Sequence, residues 1–200
     1  MDAIQKIAAE DGMKIIAGIV THNHFDHVGG RPPYPYDKFG ISVQGIRKLA
    51  SDNKNFMVYI GKEDYQQFID GQGDMQSVIP VVDNQEISIG SQKIKFIATP
   101  GHTPGSISVL LNDSRLFTGD TLFYNSCGRV DMEGGNYEKM YDSLQKLARF
   151  PDSLLVYTGH NYGKGKTFIE REKKLGMLQE VSFDQWRRLM SENTNKLNGD

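Results

Sequence analysis

The chain has one cysteine, Cys127, in 200 residues, so an internal disulfide framework is excluded and the usage suits a reducing compartment. It has no basic run, and its net charge is −2, which leaves no broad positive field for a nucleic-acid backbone. It has no long apolar run either. The longest, IIAGIV at 15–20 with Gly18 counted as neutral, is far short of the roughly 20 residues that span a bilayer. The opening MDAIQKIAAEDG carries neither the basic nor the apolar segment of a secretory signal, so a cytoplasmic protein away from membranes is expected. Charged residues at 24% and hydrophobic ones at 38% exclude a disordered chain. Histidine is scarce too, five in all, yet three of them fall in THNHFDH at 21–27.

The order of patterns along the chain is that of one layered α/β domain over 1–190, followed by a flexible tail at 191–200. Ile4, Ile7 and Ala8 recur at helical spacing over 2–11, ahead of Gly12. KIIAGIV (14–20) reads as a strand buried on both faces, and RPPYPYDKFG (31–40) as a surface loop. A helix over 42–53, a strand over 56–60 and a helix over 62–70 follow. Hairpins turn at Gly90-Ser91 and Asn112-Asp113. A Gly-rich loop at 128–135 leads to a helix over about 136–149, with a strand over 153–159 after it. Helices near 167–175 and over 182–190, the latter capped by Ser182, complete the pattern.

The two other histidines repeat one setting: His102 in PGHTPGS and His160 in TGHNYG each follow a predicted strand and a glycine. Asp120 in FTGDTLF stands in the same place. Functional side chains concentrate on such loops, held by rigid sheets. In extended chain His22 and His24 point the same way and can grip one ion, while Asp26 and His27 lie past a bend and suit a second. Imidazoles and carboxylates without thiolates suit zinc, iron or manganese. Any one of these residues alone is an ordinary loop residue. The seven together are a metal site, and Cys127 reads as a small buried side chain outside it.

THNHFDH, PGHTPGS, FTGDTLF and TGHNYG, in that order over about 14–162, resemble the metallo-β-lactamase superfamily. The resemblance implies an αββα sandwich in which His22, His24 and His102 hold one metal, Asp26, His27 and His160 the other, and Asp120 bridges them. The superfamily opens with strands ahead of the first helix, and this chain starts at that helix. An exposed sheet edge, open to pairing in a homo-oligomer, is therefore expected.

GDTLF with CGR at 127–129 and GG at 134–135 is similar to glyoxalase II and its relatives, which hydrolyse glutathione thioesters, S-lactoylglutathione above all. By that resemblance Arg129 and Tyr162 contact substrate, two zinc ions activate a bridging hydroxide against the thioester carbonyl, and Asp26 orients it or carries a proton. Asp131 departs from the glyoxalase II pattern, in which an aromatic stands there. CGR-x-D is closer to persulfide dioxygenases, whose single iron would be held by His22, His102 and Asp120. A non-catalytic remnant of the fold is the third reading. A superfamily nuclease is disfavoured by the missing basic patch.

Overall fold

The computed structural model describes residues 2–51, 53, 55–72 and 77–197. Asp52 of the helix expected over 42–53, and 198–200 of the expected tail, lie outside them. The chain divides into two compact units, Met1–Val81 and Val82–Asp200.

The first unit contains α1 (Asp2–Glu10), β1 (Ala17–Val20), α2 (Phe25–Val28), α3 (Ile46–Ser51), β2 (Met57–Gly61), α4 (Tyr65–Gln72) and β3 (Val78–Val81), with short 3-10 turns at Tyr36–Phe39 and Lys62–Asp64. Among the described residues the three strands form one parallel sheet in the order β1-β2-β3. Val58, Ile60 and Phe68 are fully buried at its heart, packed with Val20, Val28, Ile46 and Phe56. Two expectations need correcting here. The first strand begins at Ala17 rather than Lys14, and it is an edge strand in which Ala17, Gly18 and Ile19 are half-buried and only Val20 is fully buried. The third strand, β3, was not expected from the sequence at all.

The second unit holds β4 (Glu86–Ile89), β5 (Gln92–Ala98), β6 (Ile107–Leu111), β7 (Arg115–Phe117), α5 (Tyr137–Leu147), β8 (Leu155–Tyr157), β9 (Lys166–Phe168), α6 (Ile169–Leu175) and α7 (Phe183–Leu197). Its strands order as β4-β5-β6-β7-β8-β9 among the described residues. Every pairing is antiparallel except β7 with β8. The turn between β6 and β7 places Asn112 and Asp113 at φ of 49° and 50°, a left-handed pair that Asn and Asp tolerate better than most residues. Asn136 caps α5 by accepting the Lys139 N–H at 2.9 Å. Met140, Leu144 and Leu147 then bury one stripe of that helix against Leu116, Val156, Ile169 and Trp186. Ser182 caps α7 as expected, and Gln185 completes a reciprocal pair, each side chain accepting the other's backbone N–H. The helix then runs to Leu197, beyond its expected end at 190.

Strand direction decides where the loops go. Because β6 is antiparallel to both β5 and β7, and β7 is parallel to β8, strands β5, β7 and β8 all run one way. Their carboxyl ends, and hence the loops carrying His102, Asp120 and His160, emerge at one edge of the sheet. In the first unit the parallel pair β1 and β2 does the same for the chain after Val20 and after Gly61. Among the described residues no helix is long and apolar enough to cross a membrane.

Candidate metal centre

In the first unit the histidine cluster opens directly after β1. His22 is buried at 1% exposure, and its ring lies 4.8 Å from that of His24 and 4.1 Å from that of His27, centroid to centroid. His24 is extended, with φ −95° and ψ 149°, and it serves as the N-cap residue of α2. Asp26 and His27 therefore sit on a single helical turn rather than on a bent loop. That turn, and not extended chain, is what brings the His27 ring back over His22. The His27 Nε2 lies 3.8 Å from the Asp26 carboxylate, and the Thr21 hydroxyl lies 3.2 Å from His22 Nδ1. The backbone N–H of Asn23, between the first two histidines, donates to Asp64 Oδ2 at 3.0 Å.

The second unit brings its three candidates together. Asp120 Oδ2 lies 3.6 Å from His102 Nε2 and 3.4 Å from His160 Nε2. Two ligand atoms bound to one tetrahedral ion at about 2.1 Å stand about 3.4 Å apart, so the spacing is that of groups sharing a cation. His102 Nδ1 lies 2.6 Å from the Arg129 carbonyl oxygen. Donation to that carbonyl fixes the ring's tautomer and turns Nε2 toward Asp120. Glycines close the wall behind these side chains. A Cβ on Gly128 would collide with the Asp120 carbonyl and stand 3.0 Å from the His102 ring, and one on Gly159 would collide with Asp120 Oδ1.

The loop after Asp120 is held from below. Glu172 is fully buried and accepts hydrogen bonds from the Asn125 N–H at 3.1 Å, the Thr167 hydroxyl at 2.7 Å and Arg171 at 2.7 Å. The Arg171 guanidinium in turn stacks 3.6 Å over the Tyr124 ring. Cys127 is buried in the same loop, and burial pushes its thiol up to about 12. The native chain is expected to resist alkylation by iodoacetamide at about pH 8 and the denatured chain to react fully, with intact mass as the readout. Labelling of the native chain at the denatured rate would contradict this.

Imidazole and carboxylate donors with an open, solvent-facing member in Asp26 fit a zinc, iron or manganese ion better than a closed structural cage. Residues 2–160 match the family model described as "Metallo-beta-lactamase superfamily". The chain belongs to the metallo-β-lactamase superfamily. It is 35% identical over 161 residues to the hydroxyacylglutathione hydrolase of Brucella ovis, covering 80% of this chain and 53% of that protein. It is 34% identical over 158 residues to a Bacillus subtilis (strain 168) protein named "Probable polyketide biosynthesis zinc-dependent hydrolase PksB", covering 78% of this chain and 60% of the relative. The chain thus spans little more than half the length of these relatives. The crystal structure of ETHE1 from Myxococcus xanthus superposes with a TM-score of 0.75 at 30% identity, covering 97% of this chain and 76% of that one.

Two further residues were expected to contact a substrate of this superfamily chain. Arg129 is exposed, and its guanidinium forms a two-point pair with Asp131, Nε to Oδ1 at 3.0 Å and Nη2 to Oδ2 at 2.9 Å. The pair holds the Asp131 carboxyl below its ordinary range and fixes the plane of the guanidinium. Tyr162 is 49% exposed and stacks on His160 with centroids 5.1 Å apart. Phe123 meets both rings edge-on, at 6.0 Å from His160 and 5.2 Å from Tyr162. Sequence reasoning missed Phe123 and Asp64. No local pattern marks Asp64, because KEDYQQFID reads as a helix.

Proposed function

We propose that the two clusters together hold two zinc ions and that the chain is a hydrolase of a small thioester, a glutathione thioester such as S-lactoylglutathione or a close analogue. His22, His24 and His102 hold one ion in this reading, Asp26, His27 and His160 the other, and Asp120 is shared. The observation that carries it is the spacing of Asp120 Oδ2 from two imidazole Nε2 atoms at 3.6 and 3.4 Å, on loops from three strands of common direction. The hydroxyacylglutathione hydrolase relative supports the substrate class.

When bound, the ions supply Lewis acidity and a nucleophile from water at neutral pH. The chain's own residues do the rest. Asp26, exposed beside His27, orients that water and carries its proton. Stacking on Tyr162 and the carbonyl of Arg129 keep the His160 and His102 rings aimed, so little reorganisation accompanies the reaction. Arg129, its plane set by Asp131, receives the anionic end of the substrate. A thioester leaves as a weakly basic thiolate, so no strong general acid is required.

The test is metal content of freshly purified protein together with turnover. Two zinc per chain and hydrolysis of S-lactoylglutathione are expected. One iron per chain with oxygen uptake on glutathione persulfide would replace this reading with a dioxygenase. Bound metal without turnover of any ester or thioester would leave a non-catalytic remnant. Arg129→Ala separates binding from chemistry, because the substitution keeps the carbonyl that His102 needs. It should raise KM for an anionic thioester about 10-fold, the loss of one charge-assisted hydrogen bond, while kcat and metal content hold. A fall in metal content would show instead that Arg129 supports the ligands.

A further inference from the structure

We propose that Asp64 is a positioning residue for the metal ligands of the first unit, acting through the backbone amide of Asn23; the inference rests on the metal-centre reading above. Strands β1 and β2 are parallel neighbours in the register Val20↔Ile60, so the chain leaving each strand exits the sheet at the same edge. One exit carries His22, Asn23 and His24, and the other carries the 3-10 turn that ends in Asp64. Asp64 is 1% exposed, and its Oδ2 accepts the Asn23 N–H at 3.0 Å across 41 residues of sequence.

The amide it holds is a decisive one. The His22–Asn23 peptide plane links the two Cα atoms that carry His22 and Asn23, and the next plane leads to His24. Fixing the N–H direction fixes the turn between the two imidazoles. Thr21 and the helical turn that begins after His24 set the rings and the downstream backbone, but neither constrains this plane. A carboxylate at 1% exposure is costly to desolvate, and an apolar side chain would fill the volume more cheaply. What the apolar side chain lacks is an acceptor for the amide. A charge-assisted bond from a buried carboxylate is short and directional, which suits a role in aiming ligands. Asp64 reaches neither a substrate nor an ion in this scheme. It acts on the ligands as the partners of ligating histidines do elsewhere, one shell out.

Three measurements on the whole chain test this. Zinc affinity, read by competition with a chromophoric chelator, should fall about 10- to 100-fold in Asp64→Ala. Asp64→Asn, whose amide oxygen still accepts the N–H, should restore affinity close to wild type, a rescue that a role in charge balance alone would not give. In the metal-free wild type the Asn23 amide should be protected from hydrogen exchange, and in Asp64→Ala it should exchange as an open loop does. If Asp64→Ala does not fold, the Asn variant and the wild-type exchange rate decide the matter by themselves. Equal zinc affinity in wild type and Asp64→Ala, or an unprotected Asn23 amide in the wild type, overturns this inference alone. A wild-type chain that takes up no zinc overturns the metal-centre reading with it.

Discussion

Asp120→Ala is expected to lose metal from both positions and to lower kcat/KM by about 1,000-fold or more, with the fold intact. The carboxylate is nine-tenths buried, and its Oδ2 stands 3.6 and 3.4 Å from two imidazole Nε2 atoms, so in the proposed reading its loss removes the ligand common to both ions. Stability and metal binding should separate. Without metal, the cost of desolvating the carboxylate offsets part of what its contacts with the two imidazoles contribute. The metal-free variant should therefore still unfold cooperatively, with a Tm at or modestly below that of the wild type. Added zinc stabilises the wild type by preferential binding to the folded chain, a gain that grows with the logarithm of concentration over Kd. The variant should show little of that rise. Asp120→Asn preserves volume and removes the charge, so it should behave like the alanine variant if charge on a shared ligand is what matters. Wild-type metal content in either variant would refute a shared role for Asp120.

The candidate ligands were legible in the sequence because the chemistry proposed for them lies in residue type and spacing. Five histidines and two aspartates, each past a strand or in one tight cluster, leave little else for those residues to do. Strands such as β5 and β6 were legible because their burial alternates or runs continuously apolar between clear turns. Strand β3 was not, because Pro80 breaks the pattern of a strand interior. The sheet order explains the exception: β3 lies at an edge among the described residues, where a missing N–H disrupts no second neighbour. Strand β9 is three residues long, and Thr167 and Phe168 in it were absorbed into the helix that follows. The turn α2 escaped for the same reason, since four residues show no period. Nothing in spacing reveals Asp64 or the glycine wall. Both depend on which strand lies beside which, and that is fixed by register rather than by any local pattern.

Gly159→Ala should weaken metal binding without replacing any proposed ligand. The glycine follows β8 and donates its N–H to the Gly119 carbonyl at 2.9 Å, which draws the two loops together back to back. A Cβ there would collide with Asp120 Oδ1 and stand 2.9 Å from the Gly119 carbonyl carbon, closer than real Cβ atoms approach. The Gly119 side of the clash is backbone tied by that hydrogen bond, so the Asp120 carboxylate is the part that yields. It must swing away from the two Nε2 atoms it now faces. Zinc affinity is expected to fall at least about 10-fold, while overpacking costs about 1–3 kcal/mol of stability. Gly165→Ala is the matched control on the same loop. Its Cβ would meet only Asn161 atoms at 3.7 and 3.9 Å, ordinary contacts, so metal affinity should be unchanged. The pair distinguishes a wall built around one carboxylate from a loop that merely favours glycine. In the second case both variants lose metal to a similar degree, and the close approach of Gly159 to Asp120 has no part in shaping the site.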